Sequence, residues 1–189
     1  MRLEPAKAIL QSVPDGGEHE YFFVRDYNMN LYRGCSHGCI YCDARSVCYQ
    51  LDSPGEVRAK ANALEILRGE LRRKRTPGIV FMGGMSDAYN PEEAHSELTR
   101  GALTLLSQYG FGIGITTKSP LVVRDIDRLQ AIRRSAPVHV TFSITAADDD
   151  LSRLLEPGVA PSSERFAAIA ALSHAGIMTG LWINPVLPF

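Results

Sequence analysis

The chain has 189 residues, 45% of them hydrophobic and 22% charged, with a formal net charge of -1. That composition belongs to a soluble globular chain long enough for one sizeable core, and the near-neutral balance excludes a nucleic-acid-binding surface spread over the whole protein. No apolar run reaches the roughly 18 residues of a membrane span, and the opening residues Met1, Arg2, Leu3, Glu4 and Pro5 lack the apolar core of a secretory signal, so the expected location is cytoplasmic.

Residues 1–28 are mixed and carry a turn signal at Pro14-Asp15-Gly16-Gly17, which marks them as an N-terminal extension. A short apolar strand is expected at residues 29–32, leading into a cysteine-rich loop. Residues 54–75 predict a helix: Val57, Ala61, Leu64, Ile66, Leu67 and Leu71 recur at helical spacing and the far face is charged, its basic run from Arg68 to Arg75 being a solvated face. Residues 78–82 form a buried-type strand ended by Gly83 and Gly84. A helix follows over 91–107, with Asn90 as N-cap and Glu92 and Glu93 in its first turn. The third strand is expected at 111–117 and the next helix at 121–134, with Pro120 near its start. Residues 138–145 read as a fourth strand. Helices at 146–155 and 162–174 are split by Glu156-Pro157-Gly158, Gly176 stops the second of them, and a fifth strand runs over 177–187.

Strands alternating with helices of this length mean parallel βα units wound in one hand, in either a barrel or a doubly wound sheet. A barrel spends roughly 30 residues per unit. Residues 29–189 leave room for about five such units, so the expected fold is α/β with parallel strands, truncated after strand five. Its core spans residues 29–189, and its C-terminal units are expected to be missing.

The chemistry concentrates in one stretch. Cys35, Cys39 and Cys42 fall within eight residues at C-x3-C-x2-C spacing, and Cys48 is the only other cysteine. A disulfide framework would spread its cysteines along the chain; clustering favours metal. Thiolates suit iron–sulfur clusters and zinc. Three regular thiolates leave one iron of a four-iron cluster open for a ligand. The alternative is a non-catalytic zinc or closed iron–sulfur module in which Cys48 supplies the fourth ligand. Ligands of parallel βα arrays bind at the carboxyl ends of strands, where this loop is expected.

With Tyr41 just before the last cysteine, the motif resembles the signature of the radical S-adenosylmethionine (radical SAM) enzymes. The flanks, Asn30-Leu31-Tyr32-Arg33-Gly34 and His37-Gly38, then Asp43-Ala44-Arg45, are similar to the branch that includes spore photoproduct lyase and proteins called DNA repair photolyases. Further matches follow in order: Met85-Ser86-Asp87-Ala88-Tyr89-Asn90-Pro91, Thr117-Lys118-Ser119, Phe142-Ser143-Ile144-Thr145, and Leu155-Glu156-Pro157 with Pro161 and Arg165. The resemblance implies a partial TIM-type (β/α)6 barrel of parallel strands, truncated here after strand five, and a 4Fe-4S cluster on Cys35, Cys39 and Cys42, with S-adenosyl-L-methionine chelating the fourth iron. Reductive cleavage of that sulfonium would give a 5'-deoxyadenosyl radical able to abstract hydrogen from a substrate. It also implies an external one-electron donor of the flavodoxin or ferredoxin type. Nucleic acid enters as a substrate class by family analogy alone.

Several positions carry both a cofactor role and a plainer structural one. Gly83 and Gly84 make a tight turn or bring the backbone to the methionine amino group, with Ser86 and Asp87 as acceptors for that ammonium. Lys118, at a strand end, is either solvated or reaches the cofactor's carboxylate. Ser143 needs a partner inside the barrel, from the cofactor or from a neighbouring carbonyl. Tyr41 packs on the adenine or in the core. His37 is a loop hydrogen-bonding residue able to tune a cluster from outside its ligand set. Asn184 is placed to face the barrel mouth, and Glu156 and Arg165 form a local structural pair. Spore photoproduct lyase uses a further cysteine to return hydrogen to its product, whereas the segment Phe81-Met82-Gly83-Gly84-Met85-Ser86 contains none. The resemblance therefore reaches the cofactor chemistry and leaves the substrate open.

Overall fold

A computed structural model of the chain describes residues 2–13, 25–46 and 53–186. In chain order the strands are β1 (Arg2–Glu4), β2 (Leu10–Ser12), β3 (Tyr27–Met29), β4 (Tyr32–Arg33), β5 (Arg58–Lys60), β6 (Ile79–Met82), β7 (Gly112–Thr117), β8 (Val138–Ser143) and β9 (Met178–Trp182). The helices are α1 (Ala63–Arg73), α2 (Glu93–Ser96), α3 (Leu98–Gln108), α4 (Ile126–Arg133), α5 (Asp149–Leu155) and α6 (Ser162–His174). The main sheet has the order β2-β3-β6-β7-β8-β9, and a small sheet has the order β1-β5-β4. From β3 to β9 every pairing in the main sheet is parallel; β2 joins its edge antiparallel to β3. These five parallel strands follow one another without the reversal of order that defines a doubly wound sheet. The winding is that of a partial barrel.

Strand pleating divides the side chains between two faces. Val80 and Met82 on β6, Ile113 and Ile115 on β7, and Val138, Val140 and Phe142 on β8 are buried, in one cluster with Leu67 and Leu71 of α1, Leu103 and Leu106 of α3, Leu129 and Ile132 of α4 and Leu172 of α6. The alternate positions form layers set by register. Asn28, Phe81, Gly114, His139 and Met178 make one layer, and Thr116, Thr141 and Gly180 the next. The second of these layers holds only small side chains, which leaves open space above it.

The observed elements depart from the expected ones in five places. The expected strand at 29–32 is divided: β3 ends at Met29, and Tyr32 and Arg33 turn away to pair with β5 in the small sheet. The expected helix over 54–75 begins only at Ala63, because residues 58–60 are claimed by β1 and β4 on either side and bury Ala59 between them. The helix expected over 91–107 breaks at Glu97, whose φ is 50°. There the buried Glu93 carboxylate accepts the Thr99 N–H at 2.9 Å and so starts α3 afresh. The helix expected over 121–134 opens as a 3-10 segment, Pro120–Asp125, before α4. The fifth strand ends at Trp182, short of the expected 187, and Leu187 itself lies outside the described residues.

Gly83 sets how closely β6 and β7 approach at their carboxyl ends. Its φ is +98°, and a Cβ there would lie 1.9 Å from the Thr116 carbonyl oxygen. Replacement by alanine combines backbone strain with a clash that only strand separation can relieve. Gly83→Ala should lower the urea midpoint by the equivalent of about 2 kcal/mol or more; an unchanged midpoint would contradict this packing.

Candidate active site at the carboxyl ends of the strands

The cysteine loop leaves β4 through Gly34, whose φ of +78° and whose position 2.3 Å from the Glu56 carbonyl oxygen, measured from a Cβ, admit no side chain. The Cys35 N–H then donates to the Pro54 carbonyl at 2.9 Å. A second tie comes from the segment after β6, where the Ser86 hydroxyl donates to the Gly34 carbonyl at 2.6 Å. Past Cys39 the loop turns, with the Cys42 N–H donating to the Cys39 carbonyl at 3.2 Å, and enters a short 3-10 helix, Asp43–Arg45. Cys35, Cys39 and Cys42 carry free thiols. Cys48 lies outside the described residues, as does the turn at residues 14–17.

The ten residues expected to hold a three-cysteine cluster and the cofactor line one cavity of about 490 Å³. Its wall contains Cys35, Cys39, Cys42, Tyr41, Gly83, Gly84, Ser86, Asp87, Lys118 and Ser143, together with His37 and Asn184. The sequence did not single out Arg25, Thr116 and Trp182, which share that wall. For Thr116 a signal was present, since it precedes the Thr117-Lys118 pair at the end of a strand. Among the described residues no three His, Cys, Asp or Glu side chains close on a position for a single metal ion.

Asp87 fastens three segments together. Its Oδ1 accepts the Tyr89 N–H at 2.8 Å and the Thr117 hydroxyl at 2.7 Å, and its Oδ2 accepts the Lys118 N–H at 2.8 Å. His37 Nδ1 lies 3.5 Å from Oδ2. The carboxylate thus binds the ends of β6 and β7 to the cysteine loop, and about one of its roughly four acceptor positions remains for a ligand. Burial disfavours the His37 cation, but the hydrogen bond to Cys35 and the Asp87 charge outweigh it and hold the imidazole above its ordinary pKa. For Cys35, burial pushes the thiol up, and the contacts with His37 more than reverse this, so the thiol sits below its usual value. Cys39 has no such partner, and burial pushes it up to about 11.

On the opposite wall Lys118 Nζ donates to the Ser143 hydroxyl at 2.7 Å, lies 3.9 Å from Glu156 Oε1 and sits 5.7 Å from the centre of the Tyr41 ring. The barrel-facing hydroxyl of Ser143 therefore finds its partner in Lys118. Tyr41 donates its hydroxyl to Glu156 and shares a 2.8 Å hydrogen bond with Thr145. Burial, then the Glu156 contact, raise its phenol far above the ordinary range. Glu156 also pairs with Arg165, and both are almost completely buried. The local pair expected from the sequence is present, and it reaches further, to a cysteine-loop tyrosine 115 residues away.

The model of the radical SAM superfamily matches residues 29–188. An uncharacterized protein of Mycobacterium tuberculosis is 34% identical over 189 residues, covering 96% of this chain and 54% of its own length. An uncharacterized protein of Methanocaldococcus jannaschii is 31% identical over 165 residues, covering 86% of this chain and 61% of its own. Among solved structures, a spore photoproduct lyase complexed with dinucleoside spore photoproduct superposes with a TM-score of 0.67 at 19% identity, over 87% of this chain and 47% of the lyase. That likeness shows a shared fold. The chain spans about half the length of the mycobacterial relative and of the lyase.

The unequal thiols can be tested in metal-free protein. With Cys35 held more acidic than Cys39 and less buried, iodoacetamide near neutral pH should label Cys35 well before Cys39, as read by peptide mass spectrometry. Labelling of Cys39 first would contradict the assigned role of His37.

Proposed function

The chain belongs to the radical SAM superfamily, and on that premise we propose that it uses a 4Fe-4S cluster to cleave S-adenosyl-L-methionine reductively, generating a 5'-deoxyadenosyl radical that abstracts hydrogen from its substrate. The observation that carries this reading is a single cavity at the carboxyl ends of parallel strands that brings together three free thiols, a lysine cation and a glycine-ended strand. The donor set fits the group: soft thiolates suit iron–sulfur clusters, and three of them leave one iron for a further ligand.

In this reading Cys35, Cys39 and Cys42 hold the cluster. Gly83 and Gly84 let the backbone approach the methionine part of the cofactor, where Asp87 and the neighbouring carbonyls accept hydrogen bonds from its ammonium. Ser86, already donating to the Gly34 carbonyl, keeps this segment against the cysteine loop. Lys118 faces the cofactor carboxylate. Its charge is only partly balanced at 3.9 Å from Glu156, so it retains attraction for an anion. Ser143 orients Lys118 and offers a hydroxyl to the cofactor. Tyr41, fixed through its hydroxyl, presents its ring to the adenine. The cofactor carries the difficult bond cleavage, and the protein supplies position and shielding.

The electron comes from an external one-electron donor of the flavodoxin or ferredoxin type. No helix among the described residues is long and apolar enough to cross a membrane, and the proposed location is the cytoplasm, where free thiols persist. The similarity in fold to a lyase that binds a dinucleoside photoproduct makes nucleic acid the first substrate class to try. The absence of a cysteine over residues 81–86 argues that hydrogen return, if the reaction has one, uses another group.

Anaerobic reconstitution should give a brown protein with about four irons per chain that forms 5'-deoxyadenosine from S-adenosyl-L-methionine and dithionite. Cys39→Ala should abolish both properties. One zinc per chain without visible absorption, or cofactor cleavage by Cys39→Ala, would overturn the proposal.

A further inference from the structure

We infer that the corner at residues 155–158, between α5 and α6, is the clamp that holds the cysteine loop in the shape its cluster requires, with Glu156 and Gly158 as positioning residues. The inference rests on the cluster reading of the site. A loop carrying three ligands within eight residues must keep them in fixed relation, and the bonds that do so come largely from elsewhere in the chain.

The corner grips the loop on both sides of Cys39. Before it, the Gly158 N–H donates to the His37 carbonyl at 2.9 Å; after it, the Ile40 N–H donates to the Leu155 carbonyl at 2.9 Å. The approach is close enough to require glycine, since a Cβ at residue 158 would lie 2.7 Å from the carbonyl oxygens of both Ser36 and His37. Opposite, the Pro157 ring packs over Gly38, 3.6 Å from where a Cβ of residue 38 would be. A third hold is made by a side chain: Glu156 accepts the hydroxyl of Tyr41, the neighbour of Cys42.

The corner is itself anchored from behind. Arg165, fully buried, donates through Nη1 to the Ser143 carbonyl at 2.9 Å, through Nη2 to Ser152 Oγ at 2.6 Å and to Glu156, and through Nε to the Ala160 carbonyl at 2.9 Å. A planar guanidinium with this many fixed acceptors is a rigid strut. It ties Glu156 to the end of β8, so the barrel strand, the corner and the cysteine loop move as one body. Outer groups that fix metal ligands govern affinity even though they touch no metal.

The test compares anaerobically reconstituted wild type with Tyr41→Phe and Gly158→Ala. Iron release to a chelator is followed by absorbance, and the reduced cluster by electron paramagnetic resonance. Both variants should keep the wild-type circular dichroism, lose iron roughly tenfold faster than wild type and show an altered resonance line shape. Arg153→Ala, an exposed change on α5, should release iron at the wild-type rate. If Gly158→Ala does not fold, Tyr41→Phe, which removes one hydroxyl and leaves the Glu156–Arg165 pair intact, decides alone. Wild-type release rates and line shape in a folded Tyr41→Phe would overturn the clamp while leaving the site reading in place. A wild type that takes up no iron would overturn both.

Discussion

The three thiols from Cys35 to Cys42 sit on a loop that has little means of holding its own shape. Its internal bonds are short-range, the His37–Cys35 contact and the turns that join Cys42 to Cys39 and Arg45 to Cys42, and the rest of its fixed points belong to other segments. Pro54 holds Cys35, Ser86 holds Gly34, Asp87 faces His37, and the 155–158 corner holds His37, Ile40 and Tyr41. Each of these partners stands at or near the carboxyl end of a barrel strand or on a connection leaving one. The barrel is therefore the frame on which an otherwise irregular loop acquires a defined geometry, as a site built to hold ligands within a fraction of an ångström requires.

The same dependence explains where buried charge is tolerated. Glu156 and Arg165 pair in the interior, and a second network joins Tyr32, Glu93, Arg124, Asp125 and Arg100 behind the strand ends. Buried ion pairs give little net stability against apolar replacements. What they give here is directionality: each carboxylate collects donors from segments far apart in sequence and fixes their relative orientation. Glu93 joins β4 to the start of α3 and to the 3-10 segment before α4. Glu156 joins the cysteine loop to the end of β8 through Arg165. In the cavity wall between these knots Lys118 donates to Ser143 and stands 3.9 Å from Glu156.

Much of this arrangement was legible from the sequence, and the reasons are local. The ends of β6, β7 and β8 are marked by Gly83-Gly84, by Lys118-Ser119-Pro120 and by a polar residue closing an apolar run, so the carboxyl ends of these strands could be named. The cysteine spacing needed no three-dimensional information. The small sheet was not legible, because Arg58–Lys60 has one buried residue, Ala59, and reads as the polar start of a helix. The break at Glu97 was hidden for a related reason: a glutamate in a first helical turn looks like a dipole partner, whereas Glu93 is a buried cap for the helix that follows. The bond from Tyr41 to Glu156 spans 115 residues, a distance across which no periodicity or capping rule carries information.

The central claim is that three cysteines hold a cluster whose remaining iron is open to S-adenosyl-L-methionine. The most direct test is the electron paramagnetic resonance spectrum of the reduced Cys48→Ala protein, recorded before and after addition of that cofactor. The account predicts a full cluster signal without Cys48 and a clear change in its g values when the cofactor binds. Loss of the cluster on removing Cys48, or a cluster spectrum indifferent to the cofactor, would contradict it.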